Sequence, residues 1–126
     1  MLRAEGLEAV FKRHRRMSQV VRAALSEMGC ELLAECSPSP GLTPAKPPAG
    51  VAVDDLRKEL RECSGIQIAG AQDSYKGKVF RVGHMGYPDE FDMIAVVAAI
   101  ELVVAKLSGQ AADGRAVAAG LRALQE

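Results

Sequence analysis

The chain has 126 residues, 48% of them hydrophobic and 25% charged, which is typical of one soluble globular domain. Sixteen Lys and Arg balance sixteen Asp and Glu, so the net charge predicts neither nucleic acid nor an anionic membrane as a partner. The longest apolar run, from Met93 to Leu107, is interrupted by Glu101 and is too short to cross a bilayer of about 30 Å.

The cysteines indicate reduced, structural thiols. Cys30, Cys36 and Cys63 form no C-x-x-C pair, and the first residues contain no apolar signal-peptide segment. We therefore expect a cytoplasmic protein. The two histidines, His14 and His84, lie far from the cysteines and not at the spacing of zinc ligands, so we expect no metal site.

The spacing of apolar side chains predicts several helices. In the N-terminal segment, apolar residues recur every three or four positions from Ala4 to about Met28, and Gly29 then suits the left-handed end of a helix. A second amphipathic helix is predicted from about Val53 to Cys63. A last short one is predicted from about Asp113 to Leu124.

The run from Met93 to Leu107 predicts a further helix, which begins near Pro88 and ends near Ser108. Glu101 and Lys106 are the only charges in this run, although a helix on one side of a small sheet should keep a polar face. Either this helix is central, or it lies against another domain or subunit. The second alternative is favoured, because a chain of this size has little protein with which to cover both sides.

Three segments predict short strands, at residues 30–35, 66–71 and 79–84. The stretch "SPSPGLTPAKPPAG" at residues 37–50 contains five of the six prolines. Because proline cannot donate a hydrogen bond to a sheet, this stretch is predicted to be a loop or an irregular edge strand. The order of elements predicts an α+β fold for the single domain 1–126, with a small, mainly antiparallel sheet and helices packed on one face.

Arg81 lies in the middle of the apolar strand "VFRVGH". Strand alternation places it on one face, with Phe80 and Val82 on the other. A guanidinium on such a strand is usually paired, and its planar fork fits a carboxylate bidentately. From the residues alone, an internal ion pair with Asp or Glu is favoured over a ligand carboxylate.

Other polar motifs have simpler structural interpretations. "YKGK" (75–78) is not a phosphate-binding loop of the Walker type and is predicted to be a solvated hairpin tip. "KRHRR" (12–16) is predicted to be a solvated helix face, and His14 within it a packed, hydrogen-bonded histidine. His84 could act as a general base, but no nucleophile stands near it in the sequence, so a hydrogen-bonded turn histidine is favoured.

The segments "GLEAVFKRHRRMSQVVRAALSEMG", "LRKELRECSGIQIAGAQ" and above all "KGKVFRVGHMG" resemble successive parts of one family. This is the C-terminal small domain of the class V pyridoxal-phosphate (PLP) aminotransferases, the alanine–glyoxylate and serine–pyruvate group, some of whose members are named soluble hydrogenase subunits. The resemblance covers essentially the whole chain. It departs from the family pattern at Ala71, where a glycine is common, and at the proline-rich segment.

The resemblance implies that Arg81 binds the α-carboxylate of an amino or keto acid substrate, and that Gly83, His84 and Gly86 shape the strand exit around it. The PLP cofactor would be held by a large domain or a second subunit, because the motifs for the Schiff-base lysine and the phosphate are absent here. None of the six lysines (12, 46, 58, 76, 78 and 106) has a resembling context.

The resemblance therefore predicts a chain that is inactive alone, with no catalytic residue of its own, and that assembles as a dimer or other homo-oligomer. The alternative is a stand-alone module for a small anion or carboxylate, in which Arg81 and the "KGK" loop capture the ligand. A structural subunit of a redox complex is a third possibility, although the cysteine spacings do not suit an iron–sulfur cluster.

Overall fold

The computed structural model describes residues 6–33, 42–70, 77–83 and 90–125. Within these ranges lie four helices: α1 Leu7–Glu27, α2 Val53–Ser64, α3 Glu90–Leu107 and α4 Arg115–Gln125. The same ranges contain four strands: β1 Glu31–Leu32, β2 Leu42–Lys46, β3 Ala69–Gly70 and β4 Phe80–Gly83. The strands form one sheet in the order β1-β2-β4-β3, and neighbouring strands are antiparallel. The predicted α+β fold is confirmed.

The sheet buries one face against the helices. Phe80 and Val82 of β4 are buried, and opposite them on β2 lie Ala45 and Thr43, which are completely buried. Successive side chains of a strand point to opposite faces, so Arg81 lies on the outer face. The core therefore lies between this inner face and the helices, as the sequence predicted.

Gly29 ends α1, as the sequence predicted. Gly29 has a φ of 88°, its N–H donates to the Ser26 carbonyl at 3.1 Å, and the N–H of Cys30 donates to the Leu25 carbonyl at 3.0 Å. These two bonds form a Schellman motif, which satisfies carbonyls that the helix leaves without partners. The motif turns the chain from α1 into β1 and places Cys30 in the core.

A second glycine marks the closest approach of the helices. A Cβ atom on Gly120 of α4 would lie 3.1 Å from Cγ1 of Val20 on α1 and 3.2 Å from Cδ1 of Ile94 on α3. A glycine inside a helix costs about 1 kcal/mol relative to alanine, so its presence here is explained by packing rather than by helix propensity. Helices α1, α3 and α4 meet at this point.

The prediction for the proline-rich segment is wrong for Leu42–Lys46, which form β2, an inner strand. The carbonyl of Pro44 accepts a hydrogen bond from the N–H of Leu33 at 3.3 Å, on the β1 side of the strand. The N–H and C=O of one strand residue point to the same neighbour, so the donor that Pro44 lacks would also face that side. Pro44 therefore leaves the pairing of β2 with β4 intact.

Within the described residues, the other strands cover only part of the predicted segments. Of the predicted segments 30–35 and 66–71, the structure forms Glu31–Leu32 and Ala69–Gly70, and both are edge strands that pair with one neighbour. Residues 34–41, 71–76 and 84–89 lie outside the described ranges.

Helix α3 buries one side and exposes apolar residues on the other. Met93, Val97 and Ile100 are buried, whereas Leu102 is 63% exposed. Its neighbours are α1, α2 and α4. None of the described helices is both long and apolar enough to cross a membrane.

The two charges of the apolar run in α3 both have partners within the chain. Lys106 forms an ion pair with Glu59 of α2, with 2.8 Å between Nζ and Oε2. The Oε2 of Glu101 accepts a hydrogen bond from the backbone N–H of Ala116 at 2.9 Å. Glu101 therefore caps the N-terminus of α4, where a carboxylate also interacts favourably with the helix dipole.

Replacing Glu101 with alanine should lower the free energy of unfolding by about 1 kcal/mol, because the first turn of α4 loses its acceptor. The Glu101→Gln variant keeps an acceptor oxygen and should lose less. Urea denaturation of the two variants measures this difference. An equal loss in both variants would mean that the negative charge, and not the hydrogen bond, stabilises α4.

Candidate functional site around Arg81

Arg81 is held between two neighbouring strands. It lies opposite Pro44 of β2 on one side and Ala69 of β3 on the other, and its side chain is half-buried. Proline and alanine have small side chains without charge, so neither competes for the guanidinium. The arrangement leaves Arg81 as the one charged residue at this register position of the three strands.

A backbone carbonyl orients the guanidinium of Arg81. Its Nε donates a hydrogen bond of 2.9 Å to the carbonyl of Gly70 in β3. Among the residues that the structure describes, no carboxylate forms an ion pair with Arg81. The internal ion pair favoured from the residues is therefore not found within these ranges. The two terminal nitrogens, Nη1 and Nη2, form the edge of the guanidinium that can bind a carboxylate bidentately.

A second arginine contacts the same edge strand. Nε of Arg57, on α2, donates to the carbonyl of Ile68 at 3.1 Å. Its Nη1 lies 2.9 Å from the position that a Cβ on Gly70 would occupy. Arg57 and Arg61 line a shallow recess with Gln67 and Ile68. Sequence analysis did not single out Arg57, because its charge on an exposed face of an amphipathic helix looks like an ordinary solvated residue.

The other residues predicted to shape the site are described only in part. Gly83 is the last residue of β4 and lies opposite Leu42. His84 and Gly86 lie outside the described ranges, so the roles predicted for these three residues stay predictions. Of the "YKGK" segment, the structure describes Gly77, with a φ of 77°, and Lys78; both are exposed, in agreement with a solvated turn.

The basic segment of α1 is partly exposed. Lys12 and Arg15 are exposed, as predicted for a solvated face, and Arg16 is half-buried. His14 is half-buried too, but its Nε2 is buried and has no hydrogen-bond partner within the described ranges. The predicted packing of His14 is found, whereas the predicted hydrogen bond is missing at Nε2.

Two cysteines are described, and both occur as thiols. Cys30 is buried, and Cys63 is exposed on α2. The thiol of Cys63 donates to Oε2 of Glu59 at 3.3 Å, and this hydrogen bond raises the pKa of Cys63. Lys106 donates to the same oxygen and lowers the pKa of Glu59. Glu59 therefore stays charged and keeps Cys63 protonated, which makes this thiol a weaker nucleophile.

The described lysines are exposed or lie near a carboxylate. Lys12, Lys58 and Lys78 are exposed, Lys46 lies 3.9 Å from a carboxylate oxygen of Glu31, and Lys106 pairs with Glu59. The recess beside Glu101 and the recess beside Arg57 are lined by no lysine. No group of three or more His, Cys, Asp or Glu that could hold a metal ion occurs in the described part of the chain either.

Comparisons with known proteins identify relatives of this chain. No protein-family model matches it. The chain is 41% identical over 126 residues to the soluble hydrogenase small subunit of Synechococcus sp. strain PCC 6716. It is 40% identical over 104 residues to an uncharacterised aminotransferase of Methanocaldococcus jannaschii. These alignments cover 98% and 82% of this chain, but only 33% and 27% of the two relatives.

A solved structure shares the fold. The crystal structure of the ureidoglycine–glyoxylate aminotransferase from Bacillus subtilis matches with a TM-score of 0.90 at 29% sequence identity. The match covers 99% of this chain and 33% of that protein. The chain thus spans about a third of the length of the relatives it matches. In sequence and in fold, it is a relative of the small domain of class V aminotransferases, which confirms the resemblance seen in its sequence.

Proposed function

We propose that this chain is the small domain of a PLP-dependent aminotransferase and that Arg81 binds the α-carboxylate of an amino or keto acid substrate. The observation that carries this proposal is the hydrogen bond from Nε of Arg81 to the Gly70 carbonyl. One edge of the guanidinium is held by the protein backbone. The opposite edge, with the two terminal nitrogens, is suited to a carboxylate.

A large domain or a second subunit would supply the cofactor. The chain spans a third of its relatives, and the described lysines do not fit a Schiff base, so the chain alone should not transaminate. PLP supplies an electron sink when it is bound, and that chemistry would belong to the other part of the site. The contribution of this chain is to bind and orient the substrate carboxylate.

Exposed apolar side chains support a covering partner. Phe11 on α1 is 56% exposed and Leu102 on α3 is 63% exposed. The described core of this small chain leaves these large apolar side chains on two helices uncovered. Burial against another protein surface would stabilise them. This observation agrees with the expectation that α3 packs against another domain or subunit.

The proposal is tested by titrating the chain with pyruvate, with pyruvamide as the matched ligand that lacks the carboxylate. We expect a Kd for pyruvate on the order of millimolar, because a single pair of charged groups contributes only a few kcal/mol. Arg81→Met should weaken binding at least about tenfold, since charge-assisted hydrogen bonds contribute about 1.5–3 kcal/mol. Binding is measured from NMR shifts, and circular dichroism confirms that the variant is folded.

Arg122→Met is the control, because Arg122 is an exposed arginine on α4 and its loss removes the same charge. This variant should bind pyruvate like the unmodified chain. The proposal is wrong if pyruvamide binds as well as pyruvate, or if Arg81→Met and Arg122→Met have the same effect.

The second candidate is a stand-alone carboxylate-binding module or subunit. The observation that favours it is the 41% identity to a protein described as a subunit, the soluble hydrogenase small subunit. The same titration separates the candidates by affinity. A complete site within this chain should bind pyruvate in the micromolar range, whereas one half of a shared site should bind in the millimolar range.

A further inference from the structure

We propose that Arg57 is a positioning residue for Arg81, acting through the edge strand β3. This inference rests on the proposed function, since it concerns the orientation of the arginine that binds the substrate carboxylate. Arg57 itself would not touch the substrate.

The two arginines bind the same short segment of backbone. Nε of Arg57 donates to the carbonyl of Ile68 at 3.1 Å, and Nε of Arg81 donates to the carbonyl of Gly70 at 2.9 Å. The two acceptors are only two residues apart. A displacement of this segment would therefore move the acceptor that orients Arg81.

Strand β3 needs support beyond its sheet pairing. Among the residues that the structure describes, it consists of Ala69 and Gly70, lies at the edge of the sheet and pairs with β4 alone. Two paired residues provide few ladder hydrogen bonds, and an edge strand has no neighbour on its other side. The bond from Arg57 to Ile68 connects this segment to α2, with the buried Ile68 side chain as a second anchor.

Helix α2 is a rigid base for Arg57. The side chains on either side of it in the helix pattern, Val53, Leu56 and Leu60, are 0–1% exposed. Close packing of such side chains fixes the axial position of the helix, and hence the Cα of Arg57. The packed core therefore fixes α2, Arg57 on α2 holds the segment that contains β3, and the Gly70 carbonyl of β3 orients Arg81.

Gly70 leaves room for the guanidinium of Arg57 beside the strand residue whose carbonyl orients Arg81. A Cβ at this position would lie 2.9 Å from Nη1 and 3.5 Å from Cζ of Arg57. Any larger residue would push the guanidinium of Arg57 away from the strand. Glycine at position 70 is thus explained by the close approach of Arg57, and Gly70→Ala should displace Arg57 without changing its charge.

The test measures the hydrogen exchange of the Arg81 Nε–H in the free chain and the affinity of the chain for pyruvate. In the free chain, NMR reports the hydrogen exchange of the Arg81 Nε–H, which the bond to Gly70 protects. Arg57→Met should accelerate this exchange about threefold to tenfold, the effect of weakening one hydrogen bond, and should weaken pyruvate binding by a similar factor. Arg57→Lys should behave like Arg57→Met, because the bond to Ile68 comes from Nε and lysine has no equivalent atom.

Arg61→Met is the matched control. Arg61 lies one turn further along α2 and lines the same recess, but within the described residues its side chain donates no hydrogen bond to β3. It should leave both measurements unchanged. An effect of Arg61→Met equal to that of Arg57→Met would indicate a general loss of positive charge and would overturn the proposal.

Gly70→Ala keeps the inference testable if Arg57→Met folds poorly, and a double-mutant cycle is added if both variants fold. Gly70→Ala alone should accelerate exchange of the Arg81 Nε–H, and adding Arg57→Met should have little further effect, because both changes disrupt one contact. Additive effects, or unchanged exchange in all variants, would overturn the positioning role. Accelerated exchange in a chain that does not bind pyruvate would support the positioning role while refuting the proposed function.

Discussion

Replacing Phe80 with alanine is expected to lower the free energy of unfolding by about 3–5 kcal/mol. Phe80 is among the largest fully buried side chains, at 0% exposure, and it lies on the inner face of the central strand β4. Its partners across the sheet are Ala45 of β2 and Gly70 of β3. Neither residue has a side chain that could fill the cavity left by the ring.

The expected loss of stability in Phe80→Ala is a large part of the total stability of the domain. A domain of this length has a total stability of about 6–19 kcal/mol, from about 0.05–0.15 kcal/mol per residue. Urea denaturation measures the change, provided that the dependence of the unfolding free energy on urea is the same in both proteins. Phe80→Leu should lose less, because leucine fills part of the volume.

Phe11→Ala is the control for the Phe80 experiment. The chemical change is the same, but Phe11 is 56% exposed on α1, so its loss should change the stability by no more than about 0.5 kcal/mol. If the two variants lost equal stability, Phe80 would not be the centre of the core between the sheet and the helices.

Alkaline pH should destabilise the chain through Cys30. Burial raises the pKa of the Cys30 thiol from 9.0 to about 12. The unfolded chain loses this proton at lower pH than the folded chain does. The stability that the buried thiol contributes is therefore complete below pH 9.0 and is lost as the pH rises toward about 12.

The size of this effect follows from the raised pKa of Cys30. Between the two values, the free energy of unfolding should fall by about 1.4 kcal/mol for each step of one pH unit, or about 4 kcal/mol in all. The informative quantity is the difference between the unmodified chain and Cys30→Ala, because it isolates the contribution of this thiol. The variant should lose some stability at neutral pH but show a shallower fall between pH 9 and pH 11.

Cys63→Ala serves as the comparison for Cys30. Cys63 is exposed, so removal of its thiol should flatten the pH dependence less than removal of Cys30 does. Equal slopes in Cys30→Ala and in the unmodified chain would show that the Cys30 thiol is not confined to the core in the folded state. The Schellman motif that places Cys30 there would then need to open readily.

The sequence by itself determined the helices and the fold class. The periodicity of apolar residues predicted α1, α2 and α4, and the apolar run with its start and stop signals predicted α3, all to within a few residues of their observed ends. Gly29 was recognised as the end of α1. These predictions succeed because the hydrogen bonds of a helix join residues four positions apart, and its packing face repeats at the same short range. Arg81 was recognised as the candidate site residue from its unusual place in an apolar strand.

The tertiary structure decided which segments pair in the sheet and what surrounds Arg81. The prolines of residues 37–50 predicted a loop or an edge strand. However, the side of Pro44 that lacks an N–H donor faces the short β1 rather than β4, so β2 can occupy an inner position. The partner of Nε of Arg81 is the carbonyl of Gly70, eleven residues earlier, rather than a carboxylate. Arg57 contacts Gly70 from a separate helix.

The same distinction explains the cap on α4. In the sequence, Glu101 is an isolated charge in an apolar helix. In the structure, its carboxylate accepts a hydrogen bond from the backbone N–H of Ala116, fifteen residues later. Strand partners, distant caps and the acceptors of a guanidinium depend on how separate segments are brought together in space. No repeat in the local sequence encodes these contacts, because each is made between elements whose spacing along the chain is arbitrary.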